Sequence, residues 1–469
     1  MVGDNKKGAK TRKAPSSRTW GGRFASATDA GAQAFTASIG FDLRLYPYDV
    51  RVSQAHARML AASGIITSKE SERIVAALAA IEEELEAGRF VPALSDEDIH
   101  MAIERRLIEK TGDVGAKLHA ARSRNDQVVT DVKLFIKDAI SALGSRLTSL
   151  RGALRDVIRR HPGAIMPGYT HMQRAQPVLL GHHMLAYHDM FERDGSRLSD
   201  CLKRTDVLPL GSGALAGTTL PIKSSLVAKE LGFSRVTDNS MDAVADRDFV
   251  IEFLSVVAIL FSHLSRLATD VTVWATSEFG FVHLDDAFST GSSMMPQKKN
   301  PDIAELVRGK SGRAFGNLMA VLTVMKGLPL SYNSDLQEDK EALFDSADTA
   351  IASVDAMAKL LASLSFDEEA MAAAASDGLL LATDLAEYLV ARGVPFREAH
   401  EITGRVVRHC LETGVDLGEL GAADLRGFSE EFGDDVSTIL SAERAVARRR
   451  SPGGTSGTNI AKRMKELDG

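Results

Sequence analysis

The sequence predicts an all-α protein organised around a central bundle of long helices. Three observations lead there. From Val128 to Val157 apolar residues recur three or four positions apart without a break. That describes a helix of roughly 30 residues, where the usual length is about 11–12. Comparable patterns run from about Val178 to Leu202, from Asp246 to Ser277 and from Pro301 towards Leu328. Long helices with narrow apolar faces bury those faces against one another, which makes a bundle. Strand signals are sparse, and nothing alternates for long enough to build a large sheet.

The elements follow in chain order. The first 18 residues carry Lys6, Lys7, Lys10, Arg12, Lys13 and Arg18 with little apolar content, and read as a disordered basic tail (1–18). Order is expected from Trp20-Gly-Gly-Arg-Phe24. The first clear helix opens with a Thr67–Glu70 capping box, places Ile74, Leu78, Ile81 and Leu85 on one face, and ends at Gly88. A second start signal, Ser95 to Asp98, leads into His100, Ile103 and Leu107. These segments predict an N-terminal helical domain over 19–121. The bundle occupies 122–367, its first helix stopped by His161-Pro-Gly163. After Phe366 the helices shorten. Thr383-Asp384 caps one, Gly393-Val-Pro395 breaks before the next, and Arg448-Arg-Arg450 precedes a Gly/Ser/Thr-rich loop. A small helical domain over 368–469 is expected there.

Composition narrows the function classes. The chain has 469 residues, is 44% apolar and 25% charged, and carries a net charge of −7. That balance is ordinary for a globular protein and argues against general nucleic-acid binding. Two cysteines, Cys201 and Cys410, are too few for a disulfide framework and point to a reducing compartment, the cytoplasm. No apolar run reaches the roughly 18 residues of a spanning helix.

Between the long helices lie four polar junctions: Leu118–Gln127, Pro167–Pro177, Thr290–Pro301 and Tyr332–Glu341. Junctions of this kind are where a bundle places ligand sites. Thr290–Pro301 has two readings. Asn300 as N-cap, Pro301 at the first helical position, and Asp302 and Glu305 in the first turn make it a linker that caps a helix. Equally, Gly291, Ser292 and Ser293 allow close backbone approach, and Lys298 beside a helix N-terminus suits an anion. The other junctions also have plain readings. Arg122–Asp126 fits a solvated helix start capped by Ser123, Asn125 or Asp126. His171 fits a turn histidine, and Gln337–Glu341 an exposed charged face. Gly211-Ser-Gly-Ala-Leu-Ala-Gly217 looks like a phosphate loop but lacks a following Gly-Lys-Ser/Thr and a preceding strand. His182, His183 and His188 lack the partner pattern of a metal site.

Taken together, the junctions carry a family resemblance. Gly291-Ser-Ser-x-Met-Pro-x-Lys-x-Asn300 matches the fumarase/aspartase superfamily motif at every fixed position. His119-Ala-Ala-Arg-Ser-Arg-Asn-Asp-Gln127 resembles the mark of the argininosuccinate lyases. Trp20–Phe24, Asp96-Glu-Asp-Ile-His100, Gly168-Tyr-Thr-His171 and Asp246-Arg-Asp-Phe249 are similar to that family in the same order. The sequence departs from the pattern at Ala120, Ala245 and Gly457, none of them a catalytic position.

The resemblance implies a three-domain fumarase/aspartase-like fold and reversible elimination of argininosuccinate to arginine and fumarate. It implies a homotetramer whose active sites draw on three subunits, and no metal or organic cofactor. Residue by residue, it assigns Ser292 as the proton-abstracting group and His171 as the second acid/base group, with Glu305 orienting its imidazole. Lys298 and Asn300 hold the carboxylate whose charge grows. Ser38, Arg124, Asn125 and Thr170 bind the substrate's polar ends, and Tyr332, Gln337 and Lys340 bind the arginine portion. His100, Ser123 and Arg247 stand behind these. Related enzymes of the same fold, among them fumarase, aspartase and adenylosuccinate lyase, are the nearest alternatives. A non-catalytic crystallin-like relative is the alternative of another class.

Overall fold

The computed structural model describes residues 28–468, so Trp20–Phe24 and the basic tail lie outside the described residues. The chain divides into two compact units. The first comprises Met1–Phe135, Val207–Asp246 and Pro329–Lys340; the second comprises Ile136–Asp206, Arg247–Leu328 and Glu341–Gly469.

The first unit contains helices α1 (Ala30–Thr36), α2 (Tyr46–Ala62), α3 (Ser68–Glu86) and α4 (Ile99–Thr111), and the start of α5 (Arg124–Arg160). Helix α2 packs on α3, and α3 on α4. The expected capping box on α3 is present in full: Thr67 accepts from Glu70 N, and the Glu70 carboxylate accepts from Thr67 N. Gly88, at φ 65°, follows the C-cap Ala87. Helix α4 starts later than Ser95, because Asp98 is its cap and accepts from Met101 N at 2.6 Å. Helix α2 escaped the sequence reading for a physical reason. Its inward face mixes Val50, Val52 and Leu60 with buried Asp49, Ser53 and His56, which hides the apolar period.

In the second unit α5 continues to Arg160, and a hairpin of β1 (Ile165–Thr170) and β2 (Gln173–Leu179) leads into α6 (Leu180–Thr205). Helices α7 (Asp248–Trp274) and α8 (Asp302–Met325) follow, then α9 (Asp339–Ser363), most of which lies in this unit. Helix α7 packs against both α6 and α8. The four expected long helices are present. The fold is all-α, and among the described residues the strands form only two-stranded ladders.

Several expectations need correction. Helix α5 spans 37 residues and begins at Arg124 rather than near Val128, since Ser123-Arg-Asn-Asp126 forms its first turn. Helix α9 is a fifth long helix, overlooked because its buried face is largely small: Ala347, Ala350 and Val354 precede Met357 and Leu360. Helix α7 is, by length and composition alone, apolar enough to cross a membrane. Phe249, Phe253, Phe261 and Trp274 on it are buried inside the protein. Thr383 and Asp384 lie within α10 (Ala382–Ala391) instead of capping it. Helices α10 and α11 (Phe396–Thr413) carry a core of their own around Leu385, Leu389, Val406 and Phe432. Cys201 and Cys410 are both buried and free.

Candidate active site: a serine loop, a strained hairpin and a buried ion cluster

The Thr290–Pro301 stretch is a closed loop. An antiparallel bridge pins its ends: Asn300 N donates to Thr290 O at 2.8 Å and Thr290 N to Asn300 O at 3.4 Å. The Thr290 hydroxyl donates to Asp302, tying the neck to the first turn of α8. Asn300 is therefore not the helix cap. Pro301 occupies that position, and the Asn300 amide donates to Thr290 Oγ1 at 3.3 Å and to Gly291 O at 3.4 Å. Within the loop, Ser292 Oγ accepts from two backbone groups, Met294 N at 3.2 Å and Met295 N at 3.0 Å. Lys298 is exposed, whereas the neighbouring Lys299 is held by Asp286 at 2.6 Å and by the Leu284 carbonyl. A Cβ on Gly291 would meet only Lys298 O, at 3.9 Å. The neck of this segment leads into the helix, with Pro301 in place of Asn300 at the cap, and Ser292 and the exposed Lys298 lie on the loop it closes.

The second junction is a tight β-hairpin, not an irregular loop. Thr170 pairs with Gln173, so His171 and Met172 are its two turn residues, with φ of 54° and 59°. Two consecutive left-handed residues define the turn whose twist suits a hairpin, a position normally taken by Asn or Gly. A histidine and a methionine there store backbone strain of the kind concentrated at functional sites. Gly168 allows the strands to close: a Cβ would lie 3.1 Å from both Gln176 O and Val178 Cγ1. Thr170 and His171 are exposed at the tip. Glu305 is exposed on α8, and within the chain no His171–Glu305 contact is made among the described residues. Arg247 is buried at the cap of α7.

In the first unit the start of α4 gathers several predicted residues. Buried Ser38 donates to Asp42, whose other oxygen accepts from Ile99 N at 3.1 Å. Arg124 Nε pairs with Asp98 at 2.9 Å, and its Nη1 donates to Gln127 at 2.8 Å. Gln337 donates to the Thr36 carbonyl at 3.2 Å. Asn125 donates to Ala214 O at 3.1 Å, and Ser123 caps α5 by accepting from Asn125 N at 3.3 Å. A cavity of about 470 Å³ opens here, lined by His119, Ser123, Arg124, Gly213, Ala214 and Thr218 among others. Tyr332 is half-exposed. Lys340 is buried and pairs with Asp339 at 2.9 Å, so these two residues of the Gln337–Glu341 run are not part of a solvated face.

His100 does not reach the surface. Its Nδ1 lies 3.1 Å from Asp49 and 3.2 Å from Asp131, all three fully buried. Burial alone would lower the His100 pKa, but Asp131 and Asp49 outweigh it and raise it to about 10. Burial opposes the ionisation of Asp49 as well, yet His100, Arg122 and Gln127 bring its pKa down to about 2. Asp131, desolvated and facing Asp49, is pushed up to about 7. Around this triad Arg122 donates to Ser53 at 2.8 Å, and His56 contacts Ala120 O at 2.9 Å. Asp49, His100 and Asp131 also have the spacing of metal ligands. A protonated imidazole has no lone pair to offer, so the cluster reads as an ion triad. Asp126 went unassigned beyond a possible cap. It is fully buried, and its signal was the pair of glycines opposite it.

Comparisons with known proteins bear on the family of the chain. Residues 22–316 match the family described as lyase, and residues 379–447 match the argininosuccinate lyase C-terminal family. The argininosuccinate lyase of Thioalkalivibrio sulfidiphilus is 53% identical, covering 96% of this chain and 96% of that protein. That of Symbiobacterium thermophilum is 54% identical over 95% of this chain and 97% of its own length. A solved structure of an EDDS lyase variant with bound fumarate has a TM-score of 0.82 and 29% identity, covering 95% of this chain and 90% of that one.

Proposed function

The chain belongs to the argininosuccinate lyase family of the fumarase/aspartase superfamily, and from that premise we propose how its residues act. It is a carbon–nitrogen lyase that cleaves argininosuccinate reversibly to arginine and fumarate. We place this step in arginine biosynthesis, in the cytoplasm, where two buried free thiols are at home.

The forward reaction removes a proton from the carbon beside a succinate carboxylate, giving a doubly charged aci-carboxylate. The carbon–nitrogen bond then breaks, its electron pair leaving on the guanidinium nitrogen, which takes up a proton. Ser292 is the base and His171 the acid. One observation carries the assignment of Ser292: its oxygen already accepts two backbone N–H groups. Those donors favour the alkoxide, and the Lys298 charge on the same loop adds to them. Lys298 and Asn300 hold the carboxylate on which charge accumulates. Stabilising that charge is the larger contribution, since a positioned base alone supplies about 10²–10⁴-fold. Ser38, Arg124, Asn125 and Thr170 hold the polar ends of the substrate; Arg124 suits a carboxylate fork. Tyr332, Gln337 and Lys340 take the arginine portion, with Ser123, His100 and Arg247 behind them. The EDDS lyase variant holds fumarate, the product expected here.

The assembly is a homotetramer in which different copies complete one site. Two observations support this reading. His171 and Glu305, expected to pair, are both exposed and make no contact with each other among the described residues. Helix α8 exposes Phe315, Met319 and Leu322, which at i, i+4 and i+7 form an apolar stripe that water does not favour. Purified protein offered argininosuccinate should release fumarate, read as ultraviolet absorbance, and should leave adenylosuccinate and aspartate unchanged. Turnover of either alternative and not of argininosuccinate would overturn the assignment.

A further inference from the structure

The Gly211–Gly217 loop has the look of an anion cradle, and the structure supplies the anion from within. Asp126 is fully buried on the first turn of α5. Its Oδ2 accepts from Gly211 N at 3.0 Å and from Gly213 N at 2.8 Å, while its Oδ1 accepts from Ser123 N at 3.0 Å. With those two loop N–H groups taken by a side chain, the loop does not serve as a phosphate site.

The glycines are needed for this grip. Gly211 and Gly213 have φ of 109° and 59°. A Cβ at Gly213 would sit 2.9 Å from Gly217 O, and one at Gly211 would sit 2.4 Å from Ser224 Oγ. The loop so held forms one side of the 470 Å³ cavity, and Ser123 and Arg124 form another. Asn125 crosses from helix to loop, its amide donating to Ala214 O. One carboxylate therefore ties together the helix turn and the loop that share Asn125.

We propose that Asp126 is a positioning residue for substrate binding: it latches the Gly211–Gly217 loop to the start of α5 and so fixes Arg124, which lines the cavity, and Asn125, which donates to the loop. The proposal rests on the reading that Arg124 and Asn125 bind the substrate. An isosteric amide replaces only part of the carboxylate. Its one acceptor oxygen serves either the two loop N–H groups or Ser123 N, and its NH₂ then faces the remaining N–H donor, which breaks the latch on one side.

The test is steady-state kinetics with argininosuccinate on Asp126→Asn, Asn125→Ala and the double variant. Asp126→Asn should raise KM about tenfold or more and change kcat less than about threefold. The double variant should be no worse than the poorer single one, because both act through one subsite. A merely structural role would lower the thermal midpoint and the active fraction with KM unchanged, and that result overturns the proposal. If Asn125→Ala raises KM while Asp126→Asn does not, the latch alone is wrong. If Asn125→Ala is silent, the subsite reading fails and the latch with it. Should Asp126→Asn not fold, Gly213→Ala displaces the same loop with the carboxylate intact; an unchanged KM there also overturns the proposal.

Discussion

An unassisted serine hydroxyl does not take a proton from carbon at neutral pH, so if Ser292 is the base proposed, its competence has to come from its surroundings. The N–H groups of Met294 and Met295 supply part of it before any substrate arrives. Ser292→Ala should therefore lower kcat by about 10²–10⁴-fold with KM little changed. Lys298→Met should cost about 10²–10³-fold in kcat, the usual loss of one donor to a developing anion. A loss confined to KM in either variant would remove that residue from the chemistry. His100 acts differently, on stability. Its pKa is raised, so its contribution is complete below about pH 6.5 and is lost as pH rises through about 10. His100→Asn leaves Asp49 and Asp131 facing each other and should cost about 3–5 kcal/mol near pH 7. That deficit should shrink between pH 7 and 10, as the wild type loses the same ion pair. Thermal midpoints at both pH values check this, and a deficit independent of pH would contradict it.

The serine loop works as an element as well as a set of residues. Its neck is closed by the Thr290–Asn300 bridge, while a Cβ at Gly291 meets nothing nearer than 3.9 Å. The loop as it stands leaves room for a bulkier residue at 291, so packing does not demand glycine there, and the reading of the loop as a lid assigns it to movement. Gly291→Pro should keep the thermal midpoint and lower turnover about 100-fold or more. Full activity in that variant would sink the lid. This segment also shows how far a sequence can be read. The bracketing helices were legible, because each depends on local pattern. The hydrogen bonds of Asn300 were not, because they depend on which partner the chain folds beside it. The hairpin was missed for the opposite reason: His171 and Met172 are poor turn formers, and the fold holds them against their preference. Helix α2 hid because buried Asp49 and His56 interrupt its apolar face, and those residues belong to the ion triad and its surroundings.

On the scale of the whole molecule, the proposed assembly rests on the apolar stripe of α8 and on His171 and Glu305, which make no contact with each other among the described residues. Met319→Lys places a charge at the middle of the stripe and should break the assembly, read as a fall in mass by light scattering together with lost activity. An unchanged mass would remove this face from the interface. The most direct measurement mixes two dead proteins. Ser292→Ala and His171→Asn should each be inactive, and co-assembled from a denatured or co-expressed mixture they should regain partial argininosuccinate cleavage. Sites that draw Ser292 from one copy and His171 from another are then intact in some mixed assemblies. If mixed assemblies form, keep their fold and stay as inactive as either parent, the active site is not shared between subunits.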